Sequence, residues 1–211
     1  MSEPNPAPFF LRRFQSLLGI IPVGAFFVEH GLTNGLAFFQ GMEHWDEAVV
    51  FINSLPLLLF MEIFLIGVPI LLHALLGFYI WIFCEPNVQH YGYWRNWLYT
   101  LQRWTGIIAI VFIGYHVYKL RIEWKFTTDM HIIESGYVAE YFQKELWHVI
   151  FYFIGISATA FHFANGLWNF GIKWGLTVGE RAQTVSAYVC AAIGVGIFSF
   201  FMASLYAFST A

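Results

Sequence analysis

Residues 55–83 read LPLLLFMEIFLIGVPILLHALLGFYIWIF. A single charge, Glu62, interrupts a run longer than the roughly 20 apolar residues that cross a bilayer. The hydrophobicity is continuous rather than alternating, which points to a helix and away from a barrel strand. Lipid offers no partner to free backbone groups, so a helix satisfies such a segment internally. Four more runs share this character: Leu11–Leu32, Trp94–Leu120, Leu146–Gly171 and Gln183–Phe208. The expected fold is all-α, an integral membrane bundle of five transmembrane helices forming one domain over residues 1–211.

Composition agrees. The 211 residues are 59% hydrophobic, 21% aromatic and only 11% charged, where an ordinary soluble domain has about 25% charged residues. A net charge of −3 gives no basic footprint for nucleic acid. The two cysteines, Cys84 and Cys190, sit in apolar stretches and are too few for a disulfide scaffold. Arg12 and Arg13 before an apolar run resemble a secretory signal, but no small-residue cleavage site follows before Leu32.

The connections read as polar. Gly35–Asn53 carries Glu43, Asp46 and Glu47 without Lys or Arg, Cys84–Tyr93 is a Pro/Gly turn, and Arg121–Glu145 mixes both signs. With the N-terminus inside, Arg12, Arg13, Arg95, Arg103, Lys173 and Arg181 face inward, against Lys119, Arg121, Lys125 and Lys144 outside. Basic residues favour the cytoplasmic side, so this is the expected orientation.

Four histidines lie deep in the apolar runs, one in each of the first four: His30, His73, His116 and His162. A polar group in hydrocarbon needs a partner, and an intramembrane histidine is a functional candidate for that reason. Depth sorts them. His30 and His116 come late in helices running outward, and His73 and His162 come late in helices running inward. Two pairs at two levels result, His30–His116 outside and His73–His162 inside. Zinc would draw three or four ligands to one point. Two imidazoles at one level suit the axial positions of a haem, leaving no open coordination site and favouring electron transfer. No C-x-x-C-H is present, so a c-type attachment is excluded and b-type haem is expected, two per chain.

Local sequence repeats the pairing. Gln15–Ile21 and Gln102–Ile108 both read Q-x-x-x-G-I-I, with a histidine ten or eleven residues after the glycine. His73–Gly77 and His162–Gly166 both read H-x-x-x-G, with the glycine one turn from the ligand on the same face. These glycines either make room for a flat macrocycle or allow close helix packing. Pro69, one turn before His73, frees a backbone carbonyl and either aims the ligand or shapes packing. His44, His90 and His131 read as solvated loop residues, and His148 stands at a helix edge near the outer level.

The stretches RRFQSLLG (12–19), YWRNWLYTLQRWTG (93–106) and FHFANGLWNFGIKWG (161–175) resemble the di-haem cytochrome b subunit of bacterial succinate dehydrogenase, most strongly the b558 type. They are similar, more distantly, to the cytochrome b of fumarate reductases. The resemblance implies a membrane anchor that docks a flavoprotein and an iron–sulfur subunit on its inner face. It implies His30 and His116 as ligands of an outer, low-potential haem, and His73 and His162 as ligands of an inner, high-potential one. Gln15, Ser16 and Lys173 match positions that meet the inner propionates. Asp46 or Glu47 lies near the acidic residue that fumarate reductases place at their quinol site. Menaquinone is the implied quinone, and the bacterial cytoplasmic membrane the implied location.

Quinone reduction needs protons as well as electrons. Glu29, beside an outer ligand, and Glu62, in the outer half of the second helix, are candidates, since an unpaired buried carboxylate tends to stay protonated. His148 is a third. Alternatives remain: an anchor for fumarate reductase or another membrane dehydrogenase, or a transporter with a histidine-lined path, which would call for inverted repeats and broken helices.

Overall fold

The computed structural model describes residues 7–83, 88–127 and 132–211; Cys84, Asp129 and His131 lie outside them. Among the described residues, five helices are long and apolar enough to span a membrane: Phe9–Phe39, Leu58–Phe83, Trp94–Phe126, Leu146–Lys173 and Glu180–Thr210. Many of their large side chains, Leu59, Phe60, Phe64 and Val195 among them, are exposed on the single chain, as contact with lipid requires.

The first span does not stop at Leu32. It continues to Phe39 because the polar residues that follow bond back one turn. Thr33 Oγ1 donates to Glu29 Oε1 at 2.7 Å, and Asn34 Nδ2 donates to the His30 carbonyl at 2.8 Å. The span is broken at Ile21, between helices Ala7–Ile20 and Pro22–Phe39. Proline at the first helical position needs no N–H partner, so it restarts the helix there.

Two spans contain π-helical turns. In the second, Glu62–Gly67 precedes Val68–Phe83. Pro69 cannot donate to the helix, and the wider turn just before it takes up the mismatch, with Val68 N–H reaching the Ile63 carbonyl. In the third, Tyr118–Glu123 follows Trp94–Val117.

Two segments expected as loops contain helices. Met42–Asn53 buries Trp45 and Val49, and Ser135–Lys144 buries Val138, Tyr141 and Phe142. Each is short and amphipathic, with a polar outer face that lowers its mean hydropathy to that of a loop. They close one end of the bundle together. Asp46 accepts from the Ser135 backbone N–H at 2.7 Å and from its hydroxyl at 2.6 Å, and Gln143 Nε2 donates to the Ala211 carbonyl. The buried core lies at this capped end, where Trp45, Phe142, Tyr152, Phe201 and Phe208 interlock. The other end is basic: an Arg13 guanidinium donates to the Lys173 carbonyl at 3.2 Å, and Arg95 to Gln183 Oε1 at 3.1 Å.

Candidate functional site

Toward the basic end, the rings of His73 and His162 face each other with centroids 6.1 Å apart and planes at 87°. Both rings are held alike. His73 Nδ1 is 2.8 Å from the Gln15 carbonyl, and His162 Nδ1 is 3.0 Å from the Gln102 carbonyl. A carbonyl only accepts, so each Nδ1 carries the proton and each Nε2 keeps its lone pair. That is how a neutral histidine is prepared for a metal. Imidazole–metal bonds of about 2 Å each, with the ring radii added, put two axial rings about 6 Å apart. The pair therefore fits one metal held between two imidazoles.

The repeats explain the symmetry. A Cβ on Gly19 would lie 2.5 Å from His73 Cε1, and one on Gly106 would lie 2.9 Å from His162 Cε1. The glycine of each Q-x-x-x-G-I-I thus makes room for the imidazole of the following span, while its glutamine carbonyl orients that same ring. The H-x-x-x-G glycines face the glutamine side chains in return: Gly77 abuts Gln15 Nε2, and Gly166 abuts Gln102 Nε2. Gln102 adds bonds of its own, donating to the His162 carbonyl at 3.0 Å and accepting from Asn165 at 2.8 Å.

Toward the capped end, His30 and His116 come together with centroids 5.7 Å apart and planes at 76°. The separation again fits one metal between them. Their supports differ from those of the first pair. His116 Nδ1 lies 3.1 Å from the Tyr152 hydroxyl; the Asn34 amide nitrogen lies over the His30 ring, 3.3 Å from Nδ1 and 3.4 Å from Nε2, and donates to the His30 carbonyl at 2.8 Å. Phe26 stacks on His30, and Phe112 lies against His116. Among the described residues, no group of three or more His, Cys, Asp or Glu gathers in metal-binding geometry. Two imidazoles alone would leave a bare ion short of ligands, so each pair suits a metal that brings further donors of its own.

The other expected residues divide. Ser16 is buried, donates to the Arg13 carbonyl at 2.8 Å and accepts from Trp174 Nε1 at 3.2 Å. This gathers Gln15, Ser16 and Lys173 at the basic end, beside the His73–His162 pair, with the Lys173 side chain exposed. Glu62 is not unpaired: it forms an ion pair with Arg121 at 2.7 Å, joining the two π-helical turns. The premise that it is unpaired therefore fails. Glu29 is exposed and bonded to Thr33. Asp46 is engaged by Ser135, and Glu47 is exposed. His44 and His90 are exposed. His148 is buried, donates Nδ1–H to the Tyr141 carbonyl at 2.7 Å, and stacks on the Tyr141 ring with centroids 4.0 Å apart.

Four supporting residues were not anticipated. Gln102 could have been found, since the glutamine is part of the repeated motif. Tyr152, Asn34 and Arg121 carry no local signal; their roles depend on which helix faces meet.

No family model matches the chain. It is 39% identical to the succinate dehydrogenase cytochrome b558 subunit of Bacillus subtilis (strain 168) over 206 residues, 95% of this chain and 96% of that protein. The four histidines on four spans, and this identity along nearly the whole length of both chains, lead to one conclusion: the chain belongs to the family of succinate dehydrogenase cytochrome b558 subunits.

Proposed function

We propose that this chain is the membrane anchor and electron-transfer subunit of a succinate:quinone oxidoreductase, holding two haems b. The observation that carries the reading is the pairing of imidazoles at two levels, 6.1 and 5.7 Å between centroids, with spacing suited to axial ligands. His73 and His162 would hold one haem and His30 and His116 the other. Each haem would supply one-electron transfer when bound, and the two imidazoles that hold it would leave no open coordination site for oxygen. Gln15, Ser16 and Lys173 would meet the propionates at the basic end.

The dehydrogenase chemistry would reside in a flavoprotein and an iron–sulfur subunit docked at the basic end, which the positive-inside rule assigns to the cytoplasm. In this reading the chain is a single domain in the bacterial cytoplasmic membrane, with its N-terminus inside. Electrons would pass between that end and a quinone, menaquinone by resemblance, near the capped end. Charge then moves across the bilayer at about 2.3 kcal/mol per charge per 100 mV. Glu62, paired with Arg121, is a candidate for the quinone's proton path, with Glu29, Glu47 and His148 as further candidates, while both carboxylate oxygens of Asp46 are taken up by Ser135. The relative's name, a succinate dehydrogenase cytochrome, supports both haem and partners.

A reduced-minus-oxidised spectrum of the purified complex tests the proposal, combined with His→Tyr changes at each of the four positions. Two haems b per chain are expected in the unchanged protein and one in each variant. Absence of haem from the unchanged protein, or its loss on changing His44 or His90 instead, would overturn the reading.

A further inference from the structure

We propose that Tyr152 is a positioning residue for His116, orienting its ring through the bond between the Tyr152 hydroxyl and His116 Nδ1. The inference rests on reading His30 and His116 as a haem pair, and it goes beyond that reading by saying what sets the pair's electronic character.

The direction of this bond follows from chemistry. A histidine that gives its Nε2 lone pair to iron has only Nδ1–H left, and that group donates. The Tyr152 oxygen, 3.1 Å away, is the acceptor. Tyr141 donates to the Tyr115 hydroxyl at 3.4 Å.

The rings are fixed as well as the hydroxyls. Tyr152 is 4% exposed and Tyr141 9% exposed. Phe112 and Phe142 meet the Tyr152 ring edge-on at 5.1 and 4.7 Å. The buried His148 ring stacks on Tyr141 and bonds to its carbonyl. His148 therefore has a place in this cluster that needs no proton-transfer role. Burial first, and the bond with Tyr115 second, push the Tyr141 phenol well above the ordinary tyrosine range, so it keeps the proton it donates.

An acceptor on Nδ1–H raises the basicity of the metal-binding nitrogen, which favours ferric iron. Removing the Tyr152 hydroxyl should therefore raise the potential of the haem held by His30 and His116. The other pair should be untouched, because its Nδ1 protons go to backbone carbonyls that no side-chain change removes.

The test is redox titration and low-temperature electron paramagnetic resonance of the assembled complex carrying Tyr152→Phe. The component belonging to this pair is identified as the one missing from His116→Tyr. We expect both haems retained, an upward shift of that component alone, and a change in its ferric low-spin signal. Tyr141→Phe, which leaves the bond to His116 in place, should leave that component unmoved. An unmoved component in Tyr152→Phe, an equal shift of both components, or the same shift in Tyr141→Phe overturns the positioning role. If the unchanged complex holds no haem, the proposed function has failed and not this inference.

Discussion

The two histidine pairs have nearly the same geometry but are held by different means. At the basic end, both rings are clamped between a glycine and a backbone carbonyl of the preceding span, and the two halves of the clamp are copies in sequence. At the capped end, the ring support is a side chain, the Tyr152 hydroxyl on His116, inside the aromatic core, while Asn34 bonds the His30 carbonyl. A carbonyl orients a ligand whatever the side chain, so what that clamp demands of sequence is the glycine. A phenol orients a ligand only as long as its own partners stay in place. One site is fixed by main chain and the other is adjustable by substitution.

The largest effect should come from breaking the clamp. Alanine in place of glycine ordinarily favours a helix by about 1 kcal/mol. Gly19→Ala, however, puts a Cβ 2.5 Å from His73 Cε1. The imidazole must move, so we expect this variant to lose the haem held by His73 and His162, with the other haem and the helical circular dichroism retained. Gly106→Ala, with 2.9 Å to His162, should give the same defect more weakly. Full haem occupancy in Gly19→Ala would show that the clamp tolerates displacement and that the two sites are not distinguished in this way.

This contrast also explains what could be read in the sequence. The five spans, the four histidines and their pairing by depth depend on hydropathy and helical rise, which are local. The clamp was half legible: the repeated motif marked Gly19, Gly106 and the glutamines, but not that each serves the ring of the next span. The aromatic supports were not legible. Tyr152 and Tyr141 are ordinary tyrosines until the fourth span and the helix Ser135–Lys144 pack together. The short helices were read as loops because an amphipathic helix capping a membrane bundle has the mean hydropathy of a loop.

A second effect, intermediate in size, tests the ion pair between the two π-helical turns. The Glu62 and Arg121 side chains are 29% and 35% exposed. A half-exposed pair of this kind is worth about 0.5–1 kcal/mol. Glu62→Gln should lower quinone turnover with both haems bound. In a double-mutant cycle with Arg121→Gln, the effects on stability should be less than additive, because each single change already removes the pair. Unchanged turnover in Glu62→Gln would reduce the pair to a tie between the second and third spans.

The smallest effect concerns the cap over the His30–His116 end. Asp46 accepts both the backbone N–H and the hydroxyl of Ser135, the first residue of its helix. A carboxylate there satisfies an otherwise orphaned donor and sits favourably at the positive end of a helix dipole. Losing such a cap costs about 1 kcal/mol. Asp46→Ala should thus lower the melting temperature slightly, leave both haem spectra unchanged, and leave quinone turnover unchanged at temperatures well below melting. A fall in turnover without loss of stability would give Asp46 a part in quinone chemistry instead. The two outcomes are separable because the cap acts through folding alone: it holds Tyr141 and Phe142 over Tyr152, and its loss loosens that contact only as the helix itself loosens.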